Sequence, residues 1–150
     1  MSSRIDASAL TAQERLFAQA FAAGDIGRAR QLYCDDVVYL SPTVRLYDWP
    51  TRIGGIDRTL EFIQLTLSQC VEIHYEAVEQ AVLPDGASSF VRVHFDFYVG
   101  ETDVGRKRLR SNYVVLYRYR GDRIARQELY YDPSAPLESI GVASASGRSS

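Results

Sequence analysis

Apolar residues at the start of the chain recur at helical spacing. Leu10, Phe17, Ala20 and Phe21 fall on one side of a helix predicted over about 11–23, with Thr11 and Glu14 spaced as a capping box and Gly24 as the stop. Asp25 is placed to cap a second short helix through Arg30 and Tyr33, which Asp35 and Asp36 end. Val37, Val38, Tyr39 and Leu40 then read as a short strand stopped by Ser41 and Pro42. From Pro42 to Gly55 the pattern is irregular and carries Tyr47 and Trp49, which predicts a long loop of the kind that forms lids. Leu60, Ile63, Leu65 and Leu67 among polar residues predict a third, amphipathic helix over 56–69.

After that helix the period changes. Val71, Ile73, Tyr75 and Ala77 alternate with Glu72, His74, Glu76 and Val78, a half-buried strand. Pro84, Asp85 and Gly86 form a turn, and further strands are expected over about 88–99, 107–119 and 124–131, separated by a hairpin at 100–105 and a turn at 120–123. Helices first and strands last imply an α+β fold with helices on one face of an antiparallel sheet. Residues 1–132 read as one domain, and the Ser-, Ala- and Gly-rich stretch 133–150 as a flexible tail.

Composition narrows the function. The 150 residues are 46% hydrophobic with a net charge of −2, enough for one core and without the concentrated positive face that nucleic acid requires. No membrane span or signal peptide is legible, so a cytoplasmic protein is expected. Cys34 and Cys70 lack CxxC spacing and the two histidines are isolated, so neither a metal nor another cofactor is expected.

The strand over 88–99 has two unlike sides. Val91, Val93, Phe95 and Phe97 alternate with Arg92, His94, Asp96 and Tyr98. Periodicity does not say which side faces inward.

The run from Leu16 to Asp25, with Leu32 to Pro42, the Gly54-Gly55-Ile56 start of the third helix and the ending Tyr119 to Ile124, resembles the nuclear-transport-factor-two-like superfamily over about 10–132. That superfamily includes ketosteroid isomerase, limonene-epoxide hydrolase and the SnoaL-type polyketide cyclases. The resemblance implies a cone-shaped roll, a curved antiparallel sheet packed on three N-terminal helices, and a homodimer formed through the outer sheet face with Val114 and Leu116. The catalytic groups of ketosteroid isomerase fall here on Ser41, Phe17 and Val115, so its mechanism is missing. Those of limonene-epoxide hydrolase fit at Tyr39 and Arg92, with Ser41 at its Asn position, but its two carboxylates fall on His94 and Leu129.

Both comparisons imply that Arg92, His94 and Asp96 face a cavity, about 6 to 7 Å apart along the strand. The expected enzyme is SnoaL-like and cofactor-independent: it cyclises, isomerises, dehydrates or opens an epoxide on a small hydrophobic metabolite such as a polyketide or terpenoid. His94 is its acid or base, Asp96 the orienting carboxylate, Arg92 the oxyanion stabiliser and Tyr39 a donor. Phe17, Ser41, Trp49, Tyr113, Val115, Tyr117, Gln127, Leu129 and Tyr131 are the expected substrate-binding wall. The alternative is a non-catalytic small-molecule-binding or assembly domain of the same fold.

Overall fold

The computed structural model describes residues 5–99 and 107–131; the expected hairpin at 100–105 and tail at 133–150 lie outside them. Helix α1 spans Ala7–Ala22. It starts four residues before the expected point, because Asp6 caps it by accepting from the Ala9 amide at 2.8 Å. The Thr11–Glu14 capping box is therefore not formed. The Thr11 hydroxyl accepts from Gln80 at 2.9 Å, and Glu14 is turned into the core. At Gly24 the chain takes a left-handed φ of 67°, which lets the Gly24 and Asp25 amides close on the last turn.

A 3-10 turn over Ile26–Leu32, capped by Asp25, leads into β1, Tyr33–Leu40. Asp35 and Asp36 belong to this strand and do not end a helix. The expected lid loop is also ordered. It contains a 3-10 turn at Pro42–Leu46 and a short strand β2, Arg52–Gly54, which pairs with β1. Helix α2, Ile56–Leu67, follows Gly55, whose φ of 93° suits glycine alone. Strands β3 (Val71–Val82), β4 (Ser88–Val99), β5 (Lys107–Arg120) and β6 (Arg123–Tyr130) complete the described chain.

The sheet order is β2-β1-β6-β5-β4-β3. All pairs are antiparallel except β1 with β6, so the sheet is mixed where an antiparallel one was expected. Hairpin turns force consecutive strands to alternate direction, but β1 and β6 are joined only through α2 and four intervening strands, which leaves their relative direction free. Bulges between Val71 and His74 and between Ala77 and Glu79 bend β3, helped by a left-handed Glu72.

Both α-helices pack on one face of this sheet. That face carries Val91 and Val93 of β4, with Tyr113, Val115 and Tyr117 of β5, all buried. The opposite face carries Arg92 and His94, exposed, with Asp96 half-buried. Turning β4 over would expose two valines and two phenylalanines, at about 1.5–3 kcal/mol for each side chain fully buried. It would also bury a cation, an imidazole and a carboxylate away from their present partners. Both effects favour the arrangement observed.

Candidate functional site

Between α2, the C-terminal half of α1 and the inner sheet face lies a cavity of about 260 Å³. Its floor is Phe17 and Phe21 of α1 with Tyr33 of β1. Phe62, Ile63, Thr66 and Leu67 of α2 form one wall, continued by Phe95, Phe97 and Val99 of β4. The facing wall is more polar: Tyr39 from β1, Ser111 and Tyr113 from β5, Gln127 and Leu129 from β6, and Tyr131 just beyond it. At the rim stand Thr43, Leu46, Tyr47, Gln69 and Cys70. Phe62 is the ring around which the rim is organised. Tyr39, Tyr47 and Trp49 lie 6.0, 5.8 and 5.1 Å from it, centre to centre.

The expected Arg92, His94 and Asp96 constellation does not line this cavity. Arg92 donates to Glu79 on β3 at 2.6 Å, and Arg108 donates to Asp96 at 3.0 Å. His94 lies opposite Glu76 and Asn112 in the strand pairing. All three belong to a ladder of charges on the outer face, as does Glu128, which accepts from Arg126 and Tyr130. The alternation of β4 has the expected period with the opposite face inward.

The expected binding wall divides. Phe17, Tyr39, Tyr113, Gln127, Leu129 and Tyr131 line the cavity. Val115 and Tyr117 are buried beyond the lining, Tyr117 stacked on Phe17 at 6.1 Å. Trp49 backs Phe62 from outside, covered by the Arg58 guanidinium at 4.3 Å. Ser41 is buried behind the lining, where its hydroxyl caps the Thr43 amide at 3.2 Å and interacts with the hydroxyls of Tyr39 and Tyr131. The lining rings of α1, α2 and β4 that sequence reasoning left out are Phe21, Phe62, Phe95 and Phe97. Their signal was present in the apolar side of β4 and the apolar stripes of the helices.

Electrostatically the cavity is uncharged. Among the described residues lining it there is no carboxylate, imidazole, ammonium or guanidinium group. Burial pushes the Tyr131 phenol and the Cys70 thiol up to about 12, and raises Tyr39, Tyr33 and Tyr113 well above their ordinary range. These groups stay protonated at neutral pH and act as neutral hydrogen-bond donors. Tyr33 already donates to Gln127 at 2.6 Å. No group of three or more His, Cys, Asp or Glu side chains among the described residues is placed to hold a metal ion.

With this fold and pocket, the chain belongs to the SnoaL-like domain family, whose pattern it matches over residues 14–127. Solved structures show the same architecture. A protein from Catenulispora acidiphila with a ketosteroid isomerase-like fold, in complex with trimethylamine, superposes with a TM-score of 0.69 at 15% identity, covering 87% of this chain and 92% of its own. An LEH-like epoxide hydrolase from M. tuberculosis gives 0.65 at 16% identity, with 93% and 96% covered. An NTF2-like protein from Anabaena variabilis gives 0.68 at 15%, with 86% and 90% covered. At these identities the likeness is one of fold. A comparison with curated proteins gives no match. No helix among the described residues is long and apolar enough to cross a membrane.

Proposed function

We propose that this SnoaL-like chain takes a small, neutral, largely apolar organic molecule into the cavity and acts on it by hydrogen-bond donation from tyrosine hydroxyls, not by a carboxylate–imidazole pair. The observation that carries this is the convergence of protonated phenols on one wall of a cavity whose other walls are rings and aliphatic groups. An ion entering such a site would lose its hydration without gaining a counter-charge. A ketone or phenol oxygen would instead meet donors already in place, and a donor aimed at an oxygen that becomes more negative during reaction lowers the barrier. Cyclisation of a carbonyl compound whose own acidic C–H gives its proton to solvent water, with the new alkoxide held by the phenols, is a reaction of this kind.

Two experiments test the reading. Fluorescence titration with 2-naphthol should show saturable binding. Naphthalene-2-sulfonate, the same ring system carrying an anion, should bind at least about tenfold more weakly. His94→Ala should change neither affinity by more than about twofold, because that side chain is on the outer face. Preference for the sulfonate would contradict a neutral-ligand pocket. In turnover of an enolisable aromatic ketone, Tyr39→Phe should lower kcat by about a hundredfold with little change in KM, the signature of a donor that acts mainly in the transition state. Saturable binding with no product from such ketones would instead support the non-catalytic binding domain.

A further inference from the structure

Beneath the cavity floor, and outside its lining, lies a buried carboxylate that the proposed function does not use. Glu14 is 4% exposed. It accepts a hydrogen bond from the Tyr75 hydroxyl at 2.6 Å and one from the Gln13 side-chain amide at 2.9 Å, and Tyr117 adds a smaller contact. The network continues outward, since Tyr119 donates to the Gln13 carbonyl oxygen at 2.9 Å and its hydroxyl lies 2.8 Å from Ser89.

The groups facing Glu14 are phenols: Tyr75 from β3, Tyr113, Tyr117 and Tyr119 from β5, and Tyr33 from β1. No ion pair to Glu14 forms among the described residues. Burial without a cation raises its carboxyl above the ordinary 4.5, against the pull of the three donors. The phenols are all raised as well, so Glu14 is the carboxyl in this cluster and the first of its groups to lose a proton as pH rises.

Its donors are also the supports of the floor. Tyr117 stacks on Phe17 at 6.1 Å, and Tyr75 meets Phe21 edge-on at 4.7 Å and Phe17 at 6.5 Å. An ionised Glu14 accepts from Tyr75, Gln13 and Tyr117 together. A protonated Glu14 must itself donate, and one of those phenols has to turn away to accept.

We propose that Glu14 is a positioning residue whose protonation state sets the cavity floor through Tyr75 and Tyr117, making ligand affinity depend on pH although no lining residue titrates. The proposal rests on the cavity being the ligand site.

Binding of 2-naphthol, neutral throughout the range used, tests it. Affinity should rise about three- to tenfold as pH is raised from about 4.5 through the raised Glu14 value, the equivalent of one net hydrogen bond. Glu14→Gln, which keeps the shape and cannot ionise, should bind with a flat profile near the wild-type low-pH value. A His74→Gln/His94→Gln double variant, altering only outer-face groups, should keep the slope.

The fold responds with the opposite sign. The folded chain holds the Glu14 proton to higher pH than the unfolded chain does. Stability from this group is therefore greatest at low pH and is lost as pH rises from about 4.5 through the raised folded value, and Glu14→Gln should remove that loss.

A flat wild-type profile, or a slope retained in Glu14→Gln, would overturn the proposal while leaving the pocket intact. No saturable binding at any pH would overturn the pocket reading and this proposal with it. Should Glu14→Gln fail to fold, Tyr75→Phe decides. Loss of that donor should move the binding midpoint to higher pH, and an unmoved midpoint would refute the role of Glu14.

Discussion

Leu129→Trp is expected to weaken 2-naphthol binding roughly a hundredfold, about 2.7 kcal/mol, while the protein stays folded. Leu129 is half-buried, and beside it is the cavity. It sits on β6 opposite Val115, with Tyr113 and Gln127 as the other inward residues of that wall. An indole at this position has open volume to enter, so it should occupy the space a ligand needs without the strain that overpacking a filled core brings. Calorimetric titration of the variant, with a thermal melt alongside, measures both quantities. An unchanged affinity would mean that the probe binds elsewhere, and a collapsed melting temperature would mean that the cavity is narrower than its outline.

The second large effect falls on stability. Phe17→Ala should lower the unfolding free energy by about 3–5 kcal/mol. Phe17 is 1% exposed and contacts four rings, Phe21, Tyr33, Tyr75 and Tyr117, at centroid separations of 6.1 to 6.5 Å. The usual total stability of a domain is about 5–15 kcal/mol, so this one ring supports a substantial share of it. Removing it would also open the floor and join the cavity to the Glu14 network. Urea unfolding gives the number directly. A loss under about 1 kcal/mol would show that neighbouring rings close the gap and that the floor is plastic.

Most of the fold was legible in the sequence because its elements follow local patterns. The 3.6-residue spacing of Leu10 and Phe17 and the two-residue alternation from Val71 and from Ser88 onward mark α1, β3 and β4 within a few residues. Two things were not legible, for different reasons. The parallel pairing of β1 with β6 joins segments far apart in the chain, and no local pattern records direction between them. The face of β4 turned inward depends on partners that only the register supplies. Arg92 has Glu79 beside it, and Asp96 has Arg108. Without those pairs in view, periodicity left the face open, and the resemblance to ketosteroid isomerase and limonene-epoxide hydrolase turned the cation, imidazole and carboxylate inward.

Glu14 was hidden in a similar way. Spaced three residues after Thr11, it fitted a helix cap, whereas its burial follows from Asp6 starting the helix earlier and from tyrosines on β3 and β5 that supply its hydrogen bonds. Phe17, Tyr113, Gln127 and Tyr131 were legible as inward-facing through the resemblance to the superfamily, which supplied the register that alternation along β5 and β6 alone does not, and all four line the cavity. The candidate site was thus readable as a surface of rings and hydroxyls, and misread wherever a charge required a partner from another strand.

The parallel β1–β6 pair also governs how the molecule can be made. Tyr33 and Gln127, hydrogen-bonded at 2.6 Å, are separated by 94 positions in the sequence. Until the last strand leaves the ribosome, one edge of β1 has no backbone partner, and Tyr33 and Tyr39 face an unfinished wall. The nascent chain can form α1 and the β3–β4 hairpin early, but closing so long a loop is a late and slow event. Assembly of the cavity therefore waits for β6, and a chain that stops before residue 124 carries the helices and most of the sheet with one cavity wall missing.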